Sequence, residues 1–216
     1  MTTMAWLGEP AIQHLCRSDD DWRPVIRLAG PRPPPSAPQR SPYEALARAV
    51  IYQQLHGRAA AAITARLLAL YPRQRFPQPA ALLATPTEML RSCGLSARKI
   101  ETLRGIAEGR LAGIITTRAK ALRCDDEALI AQWTQLRGVG RWTAEMVLMD
   151  TLARPDIMPV GDFGVREGWR LLKRLPTQPT PAALLESARP WQPYRSTAAW
   201  YLWRVVDLSR AGALPG

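Results

Sequence analysis

From Ser41 to the C-terminal end, apolar residues recur every three or four positions between short turn signals, the period of amphipathic helices packed on one another. Ser41-Pro42-Tyr43-Glu44 starts the pattern: Ser41 can cap, Pro42 suits the first helical position and Glu44 can close a capping box. Ala45, Leu46, Ala49 and Val50 continue that helix. A second, carrying Ile63, Leu67 and Leu70, follows His56-Gly57 and stops at Tyr71-Pro72. Thr85-Pro86-Thr87-Glu88 predicts another capping box, with Gly94 ending its helix, and Ser96 caps the helix through Leu103 and Ile106. Asp125 or Asp126 opens a helix leading into Leu136-Arg137-Gly138-Val139-Gly140. Later helices are expected from about Arg141 to Leu152, Phe163 to Leu172, Pro181 to Ser187 and Ser196 to Leu208. No strand-like alternation follows Ser41, so the expected fold is all-α, two-lobed with a cleft between the lobes.

Residues 1–40 break this pattern. They carry Asp19-Asp20-Asp21 and then the proline-rich Gly30-Pro31-Arg32-Pro33-Pro34-Pro35-Ser36-Ala37-Pro38, which cannot be helical. They are expected to form a short irregular extension on the surface, with residues 41–216 as the helical domain. The chain has 216 residues, enough for a full core, and no stretch as long as the ~20 apolar residues of a membrane span. A soluble, intracellular (cytoplasmic, nucleoid-associated) monomer with no membrane partner is the expectation.

Composition adds a net charge of +11 from 29 Lys plus Arg against 18 Asp plus Glu, which points to a polyanionic partner. Almost all of it is arginine; the lysines are Lys99, Lys120 and Lys173. An arginine-rich codon usage explains the preference for arginine but leaves the net charge standing. Cys16, Cys93 and Cys124 are widely spaced without a Cys-x-x-Cys pair, so neither a disulfide framework nor a zinc or iron–sulfur site is indicated. His14 and His56 are isolated.

The segment Leu136 to Asp162 holds the candidate chemistry. Gly138 and Gly140 allow a turn with outward backbone N–H groups, and the helix opening at Arg141 aims its positive dipole end at the same point, an arrangement that suits a phosphate. Helix, Leu-x-Gly-Val-Gly turn, helix is the pattern of a helix-hairpin-helix, spanning about residues 126–152, which grips DNA backbone without reading sequence. Resemblance to that module implies that the carbonyls of Thr134, Leu136 and Val139 hold a monovalent ion, Na or K.

Gly138-Val139-Gly140-Arg141-Trp142-Thr143-Ala144 followed by Pro159-Val160-Gly161-Asp162 resembles the helix-hairpin-helix (HhH-GPD) DNA glycosylases, and within them the 3-methyladenine DNA glycosylase II branch. Ile51-Tyr52-Gln53-Gln54, Gly94-Leu95-Ser96-Ala97-Arg98-Lys99 and Trp191-Gln192-Pro193-Tyr194-Arg195-Ser196 agree in order, so the resemblance covers roughly Ser41 to Leu208.

The resemblance implies a monofunctional enzyme of base excision repair. It acts on damaged bases in double-stranded DNA, hydrolysing the N-glycosidic bond of flipped-out alkylated bases such as 3-methyladenine and 7-methylguanine. It requires no cofactor and has no iron–sulfur cluster. Asp162 becomes the catalytic carboxylate, although its position before Phe163 equally fits a helix N-cap. Trp142 stands where bifunctional relatives place a Schiff-base lysine, which implies hydrolysis by water. Its electron-rich face suits a cationic base. Trp142, Tyr194, Trp191 and Tyr52 are the base-pocket candidates; Tyr194 departs from the tryptophan that relatives often carry there. Trp169, Trp200 and Trp203 lie on apolar helix faces and are expected in the core.

Gln54 stands where a relative fills the gap left by the flipped base, or is an ordinary helix-face residue. Gly138, Gly140, Arg141, Thr143, Ser96, Arg98 and Lys99 complete the expected DNA contacts. Asp150, Asp156 and Glu145 are rival carboxylates, expected to be solvated or capping. Two other readings remain open: a non-catalytic helix-hairpin-helix DNA-binding protein, and a glycosylase of the same family for deaminated or mismatched bases.

Overall fold

The computed structural model describes residues 8–31, 33 and 40–214, and among them it contains thirteen α-helices and no strand. The chain divides into two compact units, Ala37–Leu152 and the discontinuous Met1–Ser36 with Ala153–Gly216.

The continuous unit contains α3 (Pro42–Tyr52), α4 (Gly57–Ala69), α5 (Pro79–Ala84), α6 (Thr87–Ser92), α7 (Ala97–Leu111), α8 (Arg118–Ala121), α9 (Asp126–Trp133) and α10 (Arg141–Asp150). Helix α7 is its centre, burying Ile100, Leu103, Ile106 and Ala107 and packing against α3, α5 and α6. Helix α3 in turn packs against α4 and α10.

Caps fix several starts. Ser41 accepts from the Glu44 N–H, Ser96 from that of Lys99, Thr117 from that of Lys120 and Asp125 from that of Ala128, each worth about 1 kcal/mol. Only half of the Ser41 box forms in its expected sense, because the buried Glu44 carboxylate accepts from Arg48 Nε at 2.9 Å and pairs with Arg40. The box expected at Thr85 is absent. Helix α6 starts after Pro86 without a side-chain cap, and the Thr85 hydroxyl donates to the Ala81 carbonyl at the end of α5.

The second unit overturns the expected irregular N-terminal extension over most of its described length. Residues Glu9–Ser18 and Trp22–Ala29 are helices α1 and α2, and they bury Ala11, Leu15, Trp22 and Val25. With them stand α11 (Phe163–Leu172), α12 (Pro181–Ser187), a 3₁₀ turn (Arg189–Trp191) and α13 (Arg195–Arg210). Trp22, fully buried, meets Trp191 edge-on at 5.2 Å between centroids, and Trp191 meets Trp169 at 5.0 Å. Most of the proline-rich stretch lies outside the described residues.

Helix α13 crosses α11 closely because Gly168 has no side chain: a Cβ there would stand 2.1 Å from the Leu202 carbonyl oxygen. The acidic run also has a structural role. Lys173 Nζ, after the end of α11, donates to Asp19 at 2.7 Å and Asp21 at 2.6 Å, tying the α1–α2 junction down. Burial alone would lower the Lys173 ammonium, but the two carboxylates outweigh it and hold it above its ordinary value. No helix among the described residues is long and apolar enough to cross a membrane.

A lysine held above its ordinary value contributes its stability at neutral pH and loses it only as pH rises through that raised value. Lys173→Met is therefore expected to cost about 1 kcal/mol at pH 7, read as a lower midpoint in urea or thermal unfolding, with the gap from the unsubstituted protein narrowing in strong alkali.

Candidate functional site

In the continuous unit, α9 runs into the hairpin through a Leu136 N–H bond to the Trp133 carbonyl and a Val139 N–H bond to the Leu136 carbonyl at 3.0 Å. Leu136 and Val139 are buried, and Leu136 packs where Gly109 leaves room on α7. The two hairpin glycines do different things. Gly138 has φ +82, and a Cβ there would stand 2.4 Å from Thr102 Oγ1, so both conformation and space demand glycine. Gly140 is extended (φ −89, ψ 167), which any residue adopts, and a Cβ there would meet nothing within 4 Å. It caps α10 with no side-chain hydrogen bond.

Beside the hairpin is a cavity of about 670 Å³ lined by Tyr52, Gln53, Gln54, Ser96, Arg98, Lys99, Thr102, Gly138, Trp142, Met146 and Asp150 together with Ala49 and Val50 of α3. It gathers two of the four aromatic candidates, Trp142 (43% exposed) and Tyr52 (42%), with five of the expected DNA-contacting residues.

Gln54 is not on a helix face. It follows the end of α3 in the left-handed region at φ +56, where a non-glycine residue is strained and must be held by its surroundings. Those surroundings are Lys99 and Gln53. Lys99 Nζ donates to the carbonyls of Ile51 at 2.6 Å and Gln53 at 2.9 Å, and Gln53 Nε2 donates to Thr143 Oγ1 at 3.1 Å.

Three residues expected at DNA use their side chains in bonds within the protein. Lys99 caps the C-terminus of α3 instead of reaching outward, and its burial lowers the ammonium below its ordinary value. Thr143 is buried, and its hydroxyl is used internally. Arg141 is tied by Nε to Glu145 at 2.9 Å and by Nη1 to Glu127 at 2.9 Å, bonds that raise its guanidinium, so it braces α10 from α9. Glu145, expected to be solvated or capping, is buried in that pair. Ser96 spends its hydroxyl on the cap, whereas Arg98 is exposed at the cavity edge.

In the other unit, Asp162 caps α11. Its Oδ1 accepts from the Val165 N–H at 2.8 Å and from Trp203 Nε1 at 2.9 Å. Phe163 beside it is 65% exposed. Trp191, expected in a base pocket, is only 1% exposed and belongs to the Trp22–Trp169 core cluster. Tyr194 is half-buried and packs edge-on against His14 of α1 at 5.3 Å. Asp156 is held bidentately by Arg195, Nε to Oδ1 at 2.8 Å and Nη2 to Oδ2 at 2.9 Å, which removes it as a rival carboxylate.

Sequence reasoning placed Trp203 wholly in the core and missed its bond to Asp162. The available signal was Gly164, a glycine in the first turn of a helix two residues after the carboxylate.

The chain matches the HhH-GPD superfamily of base excision DNA repair proteins over residues 47–193. It is 43% identical to DNA-3-methyladenine glycosylase 1 of Schizosaccharomyces pombe over 91% of this chain and 86% of that protein. It is 31% identical to an alkylbase DNA glycosidase-like protein of the same yeast, over 94% and 95% of the two chains. Its fold is similar to the solved structure of the S. pombe 3-methyladenine DNA glycosylase in complex with abasic DNA (TM-score 0.85, 41% identity, 96% and 100% covered). It is also similar to a DNA-3-methyladenine glycosidase from Bacillus halodurans (TM-score 0.83, 28% identity, 94% and 92% covered).

The hairpin geometry separates two substitutions. Gly138→Ala is expected to lower stability by at least about 1 to 3 kcal/mol through the left-handed backbone and the Thr102 overlap, while Gly140→Ala stays within about 1 kcal/mol of the parent. Denaturant midpoints of both variants check this.

Proposed function

The chain belongs to the HhH-GPD superfamily of base excision DNA repair proteins, and from that premise we propose that it is a monofunctional DNA glycosylase for alkylated bases. It hydrolyses the N-glycosidic bond of a base flipped out of double-stranded DNA and leaves an abasic site. The observation that carries this reading is Asp162: a carboxylate at the start of α11 with two N–H donors on one oxygen, which holds its plane fixed. Breaking the bond builds positive charge on the deoxyribose ring, and a preoriented carboxylate stabilises that charge and directs the attacking water.

The remaining groups divide the work. The first turn of α10, left open by Gly140, receives a backbone phosphate on its N–H groups. Gln54, presented at the cavity edge by its left-handed turn, fills the space vacated by the flipped base. Trp142 offers a π face to a cationic alkylated base, worth about 0.5 to 2 kcal/mol. Unpairing costs a few kcal/mol and least for a damaged base, so selection rests on that cost and on the weakened glycosidic bond as well as on stacking.

Water as the nucleophile fits the lysines. Lys99 is spent on two carbonyls and Lys173 on two carboxylates, and Trp142 occupies the hairpin position. The carbonyls of Thr134, Leu136 and Val139 suit a monovalent cation beside the phosphate. Leu136 already accepts the Val139 N–H, which leaves its carbonyl one lone pair for an ion.

Asn caps a helix about as well as Asp, so Asp162→Asn tests chemistry more than folding. The variant is expected to release 3-methyladenine and 7-methylguanine from methylated DNA at least 100-fold more slowly, by chromatography of free bases, while keeping its affinity for abasic DNA. Release at the parent rate overturns the role of Asp162. Failure of the parent protein to release any base leaves the non-catalytic reading, and borohydride trapping of a protein–DNA adduct contradicts hydrolysis by water.

Binding to undamaged duplex is expected to weaken steeply with salt, by roughly one power of ten per tenfold rise in salt for each phosphate held. A flat salt profile removes the phosphate contacts.

A further inference from the structure

We propose that Trp203 is a positioning residue for the reaction: its indole N–H orients the Asp162 carboxylate, and Gly164 exists to let it do so. The inference rests on the glycosylase reading above and names a device within that site.

Capping alone does not explain the contact. Ser41, Ser96, Thr117, Asp125 and Thr180 cap their helices by accepting a single backbone N–H. Asp162 accepts the Val165 N–H in the same way, which completes its cap, and takes in addition a side-chain donor from another helix on the same Oδ1. An indole has one N–H and can satisfy it with water, yet half-buried Trp203 sends it to this oxygen.

Gly164 supplies the second observation. Glycine within a helix costs about 0.5 to 1 kcal/mol relative to alanine, so it needs a reason. A Cβ at Gly164 would stand 2.9 Å from Trp203 Cδ1, 3.3 Å from its Nε1 and 3.2 Å from Asp162 Oδ1. The space it leaves is therefore filled by the indole–carboxylate contact. One turn later Gly168 does a separate job, admitting the α13 backbone at Leu202. The two glycines lie on one face of α11: Gly168 sets how near α13 comes, and Gly164 clears the path for its indole edge.

With two donors on Oδ1, the carboxylate cannot swing about its Cβ–Cγ bond without breaking a charge-assisted hydrogen bond. Its plane is set before DNA arrives, which is the preorganisation that stabilising a developing sugar cation requires.

Three variants test the proposal: Trp203→Phe; replacement of Trp203 by benzothienylalanine, which keeps the bicyclic ring and removes only the N–H; and Gly164→Ala, which keeps the indole and displaces it. Single-turnover release of 3-methyladenine and 7-methylguanine is measured on methylated duplex, with abasic-DNA affinity and thermal midpoint in parallel. Each variant is expected to slow release of both bases by the same factor, about 10- to 100-fold, with affinity for abasic DNA within twofold of the parent. Parent-like rates in the benzothienylalanine protein overturn the proposal. So does a loss that differs between the two bases, which would make Trp203 a pocket wall, or a loss confined to DNA affinity. Should Trp203→Phe melt early, the benzothienylalanine and Gly164→Ala proteins still decide. Absence of base release by the parent protein is a failure of the glycosylase reading instead.

Discussion

A helix that starts near a protein surface leaves its first N–H groups without internal partners, and the two units treat such a start in different ways. Helix α11 receives a carboxylate, Asp162, from its own chain. Helix α10 has no side-chain cap: Gly140 is extended and side-chain-free, and the apolar hairpin residues Leu136 and Val139 are buried. The start of α11 thus has a carboxylate from its own chain against the positive end of its dipole, and the start of α10 has no side-chain cap. The supporting ion pairs belong to the same constraint, since Arg141 ties α10 to α9 through Glu127 and to its own turn through Glu145.

Local signals were legible in the sequence where the physics is local. The caps at Ser41, Ser96, Asp125 and Asp162 depend on one side chain and an N–H three residues on, and all four form. Thr85 shows the limit, because α6 takes Pro86 as its N-cap and the Thr85 hydroxyl turns back onto the Ala81 carbonyl of the preceding helix. The N-terminal segment was misread for a related reason. Prolines and three aspartates dominate its composition, while the residues that make it part of a core, Leu15, Trp22 and Val25, are few and find their partners far along the chain. Trp191 went wrong with it, since its burial against Trp22 cannot be seen until α2 exists.

The positive charge also reads differently once placed. A net +11 suggests an anionic partner, yet much of the arginine works as an internal donor. Arg66 donates to the Cys93 carbonyl, Arg104 to that of Thr85, Arg110 to that of Ile115 and Arg118 to that of Thr151, while Arg48, Arg141 and Arg195 hold carboxylates. Guanidinium groups suit this because their several donors span loop carbonyls at little desolvation cost. Net charge therefore supports long-range attraction to DNA, but it does not identify which cations touch it. Arg141, Lys99 and Thr143 carry motif positions and bond other groups of the protein through their side chains.

Glycine makes the same point about what a motif encodes. Gly138 and Gly140 look like one signature, yet the first is fixed by a left-handed backbone and the Thr102 hydroxyl, and the second by nothing within its own chain. Gly140 has open space above its Cα and an extended backbone, so neither conformation nor internal packing requires glycine there. Gly164 and Gly168 are the converse case: both are required from within, one by an indole and one by a backbone carbonyl. Whether a glycine is required by the protein's own chain is decided only when the space above its Cα is known, and here that distinction separates Gly138, Gly164 and Gly168 from Gly140.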